Sequence, residues 1–375
     1  MKAGASFSGH EESLAAGREA AKCAVAACGP PVLTLVFITD AYDPEQVLAG
    51  VRAVVGSSRI AGFCCGGVIT AAGLHSQGVG VLALSGDFEA VTTLQNGLGR
   101  DPYGIGQKAG RAARESGLSS GTAIVMPDGF QANLPKMLRG LYSQLGPDFQ
   151  YIGGGAGDNL KFFQTHQFTE QGVSRDALAV TLVHGLEVGV GIGHGWTPMG
   201  DPLAISRSEG KRVYEINGAP AFQEYARRLG LDQRDRFAYA AMEHPLGFPN
   251  ISGQFVIRDP LRVNDDDSID FITEIPSQAV GYVMECSMEG LIDTARKAAR
   301  AAILPGGKPT FMLLFDCISR AMLMGDRFDE EIRALCETVG PDLPILGALT
   351  FGEIGSHDNV PLFHNKTTVV AVGST

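Results

Sequence analysis

The sequence predicts an α/β protein of two lobes, built from repeated β-α-β units with mixed sheets and packed helices. Three observations predict this class. Three segments share one grammar: strand, helical pattern, strand ending in a glycine-rich turn, then a last strand. They are VLTLVF (32–37), RIAGFCCGGVI (59–69) and GVGVLAL (78–84); TAIVM (122–126), FQYIGGGAGD (149–158) and ALAVTLV (177–183); and TFMLLF (310–315), PILGALTFGEI (344–354) and TTVVAV (367–372). Laid on Gly62 and Gly347, the first and third copies also match at Gly67 and Gly352 and at Ile69 and Ile354. The composition, 45% hydrophobic and 19% charged, belongs to a folded chain, and 375 residues suffice for a large core. The 49 glycines have no collagen period, so they mark tight turns and close backbone approaches.

Taken in order, a helix runs from about Glu11 to Cys28 and stops at Gly29-Pro30-Pro31. In the first unit Asp43 caps a helix, Pro44 suits its first turn, and Val47, Val51, Val54 and Val55 share a face. In the second, Asn133 caps, and Leu138, Leu141, Tyr142 and Leu145 form the stripe. In the third, Asp326 caps, and Phe328, Ile332, Leu335 and Val339 form it. Between the second and third units, 211–216 is a strand, Asn217-Gly218 a turn and 219–229 a helix. Residues 253–263 and 269–275 form a hairpin around the solvated turn 264–268, and an Ala-rich helix spans 287–303. A boundary near 200–212 divides the chain into domains 1–205 and 206–375.

A net charge of −11 argues against a phosphate-backbone binder, so no nucleic-acid partner is expected. The seven cysteines are odd in number and form no CxxC pair, which argues against a disulfide framework or structural zinc. No signal-peptide core and no run of 18 apolar residues occurs, so a cytoplasmic protein without membrane insertion is expected. GGGAGD (153–158) ends a strand but opens no helix, so it is no dinucleotide fingerprint. PGGKPT (305–310) has the wrong spacing for a P-loop, NDDDS (264–268) is no EF-hand, and no HExxH occurs. None of the eight histidines forms an i,i+4 pair, although one imidazole in an apolar pocket suffices as an axial haem ligand. His194, beside the only tryptophan, Trp196, is the candidate for that role; otherwise it is a turn histidine.

Strand ends followed by glycine-rich turns are where α/β sheets hold ligands. That places Gly154, Asp158, Cys317, Arg320 and Glu353 on a candidate rim, with Cys64 and Cys65. Arg320, close to Cys317, can lower its pKa or bind a carboxylate bidentately. Asn365 and Lys366 end a turn. An enzyme using Cys317 as nucleophile, with His194 or His364 as base, is the remaining alternative.

The motifs together resemble the FIST family of bacterial sensory proteins. The N-terminal region matches at VFITDAYDPEQVL, IAGFCCGGVI, YIGGGAGDN, GVGIGHGWTPMGDPL and EGKRVYEINGAPAFQEY. The C-terminal region matches at FVIRDPLRVNDDDSIDF, FMLLFDCISR, ILGALTFGEIG and HNKTTVVAV, so the likeness spans about residues 30 to 373. The chain departs from the family where a CSTxGEI-like stretch is common: Gly66, Gly67 and Val68 stand there. The resemblance implies a FIST N-like domain (1–205), a FIST C-like domain (206–375), and a sensor rather than an enzyme. Its small ligand, of the amino-acid kind, would sit among His194, Trp196, Arg258, Cys317, Arg320, Glu353, Gly154 and Asp158. It would signal in trans to a partner such as a histidine kinase. The resemblance also implies an alternative, a haem-based nitric oxide sensor with His194 on the iron.

Overall fold

The computed structural model describes residues 1–131, 133–231, 233–250 and 253–375. The three repeats in it are copies of one unit. The first comprises β1 (Lys2–Ser8), α1 (Ser13–Cys28), β2 (Leu33–Thr39), α2 (Pro44–Val55), β3 (Arg59–Cys65), the hairpin β4 (Val68–Thr70) and β5 (Gly73–His75), and β6 (Val79–Ser85). The second comprises β7 (Glu89–Asn96), α3 (Pro102–Arg114), β8 (Gly121–Pro127), α4 (Leu134–Leu145), β9 (Phe149–Gly154), the hairpin β10 (Gln167–Thr169) and β11 (Gly172–Ser174), and β12 (Ala177–His184). The third begins with β13 (Glu187–Gly193) and is interrupted by an inserted sheet. The insertion carries β14 (Thr197–Glu209), β15 (Arg212–Ile216), β16 (Ala219–Pro220), α5 (Ala221–Leu229), α6 (Phe237–Glu243), β17 (Leu246–Pro249), β18 (Phe255–Arg258), β19 (Pro260–Val263), β20 (Ile269–Phe271) and β21 (Val280–Glu285). The unit resumes with α7 (Met288–Ala302), β22 (Pro309–Cys317), α8 (Ile318–Met324), α9 (Phe328–Val339), β23 (Ile345–Thr350), the hairpin β24 (Glu353–His357) and β25 (Val360–His364), and β26 (Thr368–Ser374).

The strand orders agree: β1-β6-β2-β3, β7-β12-β8-β9 and β13-β26-β22-β23. Only the last pair of each is parallel, so the sheets are mixed as the sequence predicts. Each hairpin leaves its own unit. β4–β5 extends β23, β10–β11 extends β3, and β24–β25 extends β9, a cyclic exchange. The registers match across units. Phe37, Met126 and Phe315 are equivalent, as are Phe63, Gly154 and Ala348 beside them, and Val68, Gln167 and Glu353 on the hairpins. The glycine and isoleucine matches of the first and third copies fall at these equivalent positions.

Alternation sends Leu33, Leu35 and Phe37 of β2, Ile124 and Met126 of β8, and Phe311, Leu313 and Phe315 of β22 into one shared core. Phe37 lies 4.8 Å from Phe63 and 5.8 Å from Phe315, ring centroid to centroid, so side chains of two units meet directly. The helices pack outside. Glycine lets them approach: a Cβ on Gly50 of α2 would lie 2.2 Å from Leu14 O of α1, and one on Gly140 of α4 2.1 Å from Tyr103 O of α3.

Side chains start helices at three places, two of them the expected caps Asp43 and Asn133. Asp43 Oδ1 accepts the N–H groups of Glu45 and Gln46 at 2.9 and 3.0 Å. Asn133 accepts Lys136 N–H at 3.0 Å, and Ser287 accepts Gly290 N–H at 3.1 Å. Asp326 is not a cap: it lies in a 3₁₀ turn, Gly325–Arg327, that leads into α9 without a side-chain cap. The expected hairpin over 253–275 is divided. β19 and β20 do pair, but β18 turns away to pair with β17. Residue 205 lies inside β14, a long strand through the Gly- and Pro-rich segment that the sequence marks as a boundary. β1, an edge strand of small residues, has no counterpart among the sequence-derived elements.

Phe315→Ala removes a ring that two units share. It is expected to cost about 3–5 kcal/mol in guanidinium unfolding, with one cooperative transition, because the core is common to all three units.

Candidate functional site

The polar groups gather at the C-terminal end of β22, where the third unit meets the inserted sheet. Alternation turns Asp316 outward beneath the helices and Cys317 toward the shared core, so two clusters form back to back. The inner cluster is buried. Cys317 Sγ is 3.1 Å from Ser319 Oγ, and Lys366 Nζ is 3.4 Å from the same oxygen and 3.2 Å from Asp259 Oδ2. Glu353 accepts Thr350 Oγ–H at 2.9 Å and Thr367 N–H at 3.2 Å. Burial pushes the Glu353 carboxyl up to about 8 against those bonds, so it stays largely protonated at neutral pH. Burial and then the Glu353 charge push the Cys317 thiol up to about 12. A thiol held there supplies little thiolate, and its hydrogen bonds run to Ser319 and Glu353 rather than to an imidazole.

The outer cluster is centred on Arg320. Its Nε donates to Asp316 at 3.1 Å, Nη2 to Glu331 at 2.6 Å and Nη1 to His194 O at 2.5 Å, with all three charged side chains fully buried. Burial, then the Glu331 charge, raises Asp316 well above the usual carboxylate range, against Arg320. Arg320 thus ties β22 and α9 to the strand exit of His194, and its planar fork is committed to that task. Trp196 stands beside it. The Arg320 guanidinium and Lys366 Nζ lie 5.8 and 5.6 Å from its ring centroid, and the indole N–H donates to Glu243 O at 3.1 Å. His194 Nδ1 accepts Trp196 N–H at 3.0 Å. Burial and the Arg320 charge push the imidazole down to about 4, against a hydrogen bond with the Phe255 backbone. Ligation of a haem iron by Nδ1 would require the Trp196 bond to break. Among the described residues no group of three or more His, Cys, Asp or Glu is placed to hold a metal ion.

Arg258 bridges the inserted sheet and the third unit. Nε donates to Glu274 O at 3.2 Å, and Nη1 donates to Ile257 O at 3.0 Å and to Phe363 O at 3.2 Å. Burial pulls its pKa down to about 10, against the attraction of Glu274. Among the described residues no carboxylate lies within ion-pair distance of Arg258, and no protein hydrogen bond engages Nη2.

Seven of the eight residues singled out in the sequence therefore lie around this junction. Gly154 takes part as backbone: it pairs with Glu353, and a Cβ there would lie 2.5 Å from Thr350 Cγ2. Asp158 is elsewhere. Its buried carboxylate accepts the N–H groups of Phe162 and Phe163 at 2.9 and 2.8 Å and shapes that turn. Sequence reasoning passed over Asp316, Ser319 and Glu331, missed Asp259, and placed Lys366 in a turn. Asp316 offered a signal, a carboxylate next to last in a nine-residue strand and four residues before an arginine. Lys366 offered none beyond its turn, since its burial depends on β18 crossing over it.

The comparisons with known proteins are consistent over most of the chain. The FIST N domain model matches residues 32–219, and the FIST C domain model matches residues 221–356. An uncharacterized protein of Methanocaldococcus jannaschii, MJ1623, is 26% identical over 253 residues, covering 59% of this chain and 48% of that one. Uncharacterized proteins of Mycobacterium bovis (Mb0898c) and Mycobacterium tuberculosis (MT0897) are each 24% identical over 238 residues, 60% of this chain and 61% of theirs. The match thus spans about half to three fifths of these relatives. A crystal structure of chorismatase aligns over 93% of this chain and 94% of its own at 8% identity, but with a TM-score of 0.33, too low to carry an argument.

Two measurements probe the clusters. The raised pKa of Glu353 means that the fold binds a proton the unfolded chain releases. Its contribution to stability is complete below the ordinary carboxyl value of 4.5 and is lost as pH rises through about 8. Glu353→Gln should flatten that decline in a series of melting temperatures. Arg320→Met leaves two buried carboxylates without their cation and is expected to cost about 3–5 kcal/mol in chemical denaturation.

Proposed function

The chain belongs to the FIST family, whose domains are sensory modules of signal transduction, and from that premise we propose that it is a signal-input protein that binds a small carboxylate ligand and signals in trans. The partner would be a separate signalling protein such as a histidine kinase. Arg258 carries the proposal. A desolvated guanidinium with no carboxylate within ion-pair distance among the described residues, and with Nη2 unengaged, is a strong site for an anionic head group. Its other donors reach both the inserted sheet and the β25 strand end. An anion at Nη2 would therefore bind one arrangement of the two bodies better than another and shift their population, which is the step a partner can read. Cys317 belongs to the packing of this junction in the proposal, because its thiol is held protonated.

A panel of amino acids and small carboxylates in a thermal-unfolding assay tests this. The matching ligand at about a hundred times its Kd should add about 2.7 kcal/mol of apparent stability. Arg258→Gln should abolish the shift and Arg258→Lys should weaken it. No shift from any member, or a shift that Arg258→Gln retains, overturns the proposal. A Soret band in the purified protein that His194→Ala abolishes would replace it with the haem alternative.

A further inference from the structure

The three units make a natural internal control, and they differ at one backbone position. Ile60, Tyr151 and Ile345 are equivalent residues near the start of β3, β9 and β23. Each points its N–H toward the incoming hairpin, beyond the last paired residue. In the first sheet Glu170 fills that place: Oε2 accepts Ile60 N–H at 3.1 Å, and Glu170 N–H donates to Ile60 O at 3.1 Å. In the second, Ser356 Oγ accepts Tyr151 N–H at 3.0 Å. The equivalent of Glu170 and Ser356 in the third is Ala71, whose methyl accepts nothing. β4 pairs with β23 only as far as Gly347, and among the described residues nothing pairs with the N–H or C=O of Ile345.

A second difference lies across the same gap. In the second unit's groove Gln150 Nε2 caps Val188 O, on the outer edge of β13, at 2.6 Å. Pro344 stands where Gln150 would be, and it cannot donate to the matching β1 edge. β1 ends its sheet. The alternation fixed by Thr39 N–H to Gly78 O turns the backbone groups of Ala3, Ala5 and Phe7 away from β6 and toward open space. These groups face a groove of about 490 Å³, lined by Gly4–Phe7 on one side and Pro341–Ile345 on the other; the equivalent groove beside Gln150 and Val188 is of similar size, so the two differ in their free backbone groups rather than in volume. The Phe7–His75 stack, with ring centroids 3.9 Å apart, lies in its wall, and Asp342 stands at its rim.

We propose that this groove docks an extended segment of a partner polypeptide, which adds to the free edge of β1 as a strand and satisfies Ile345. The free backbone groups of Ala3, Ala5 and Phe7 call for a backbone partner, and in the first sheet the equivalent C=O, that of Ile60, is met by the backbone N–H of Glu170 as its chain leaves a hairpin. Alternate side chains of the segment would meet the Phe7–His75 stack, and a basic residue suits Asp342. For its biological role this rests on the reading that the protein signals to a separate chain, but the experiment reads the groove itself.

The probe is a capped hexapeptide of alternating threonine and valine with one terminal lysine, followed by amide NMR. It should shift Ala3, Ala5, Phe7 and Ile345 and slow their hydrogen exchange, while the same peptide N-methylated along one edge should not. Ala71→Glu copies the Glu170 plug. It should slow Ile345 exchange toward that of Ile60 without peptide and weaken peptide binding by about tenfold or more. Ala71→Ser, copying Ser356, should do so partially. Absence of those shifts at millimolar peptide, equal binding by Ala71→Glu, or an Ile345 amide already as protected as Ile60 overturns the proposal. Arg258→Gln, which disables the carboxylate site, should leave peptide binding unchanged, so the two proposals fail separately.

Discussion

The exchange of hairpins is the constraint on which the rest depends. Each sheet is completed by a hairpin from another unit, joined in one repeated pattern. Cys64 N–H donates to His166 O and Gly157 N–H to Cys64 O; Gly155 N–H donates to Gly352 O and Phe351 N–H to Gly155 O; Gly66 N–H donates to Leu349 O and Leu349 N–H to Gly67 O. No unit can close the edge of its second strand without another. The apolar faces of all three sheets are thereby held against one core, and polar chemistry is displaced to the ends of the strands.

Function then follows from broken symmetry. One position facing the core at the strand ends holds Thr39, Asp128 and Cys317, and the hairpin position beside it holds Val68, Gln167 and Glu353. Only the third unit carries an inserted sheet. That sheet brings Arg258 and Asp259 over Lys366 and Phe363. A carboxyl, a thiol, a lysine and an arginine share a small space there, and desolvation shifts Glu353, Cys317 and Arg258 more than any partner does.

The Arg320 cluster shows the cost of that junction. A single guanidinium serves two carboxylates and a carbonyl, with all three charged side chains fully buried. Such a cluster contributes little net stability over an apolar core, but it penalises any other arrangement of β22, α9 and the His194 strand exit.

The repeat, the helices and their caps were legible in the sequence because they rest on interactions within a few residues. Asp43 and Asn133 bond the first turns that follow them, and strand alternation and helix stripes repeat at fixed periods. Glu353, Cys317 and Arg320 were legible as strand-end residues for the same reason. Three things were decided only in tertiary structure: which sheet each hairpin joins, that Arg320 is committed while Arg258 is not, and that Lys366 is buried against Asp259. Asp326 illustrates the limit even locally, since a 3₁₀ turn took the place of the cap it was expected to form. The physical reason is range. Register and capping are fixed by neighbours along the chain, whereas desolvation and charge pairing depend on what lies across the fold, as Lys366 and Asp259 show, which pair although they lie far apart in the chain.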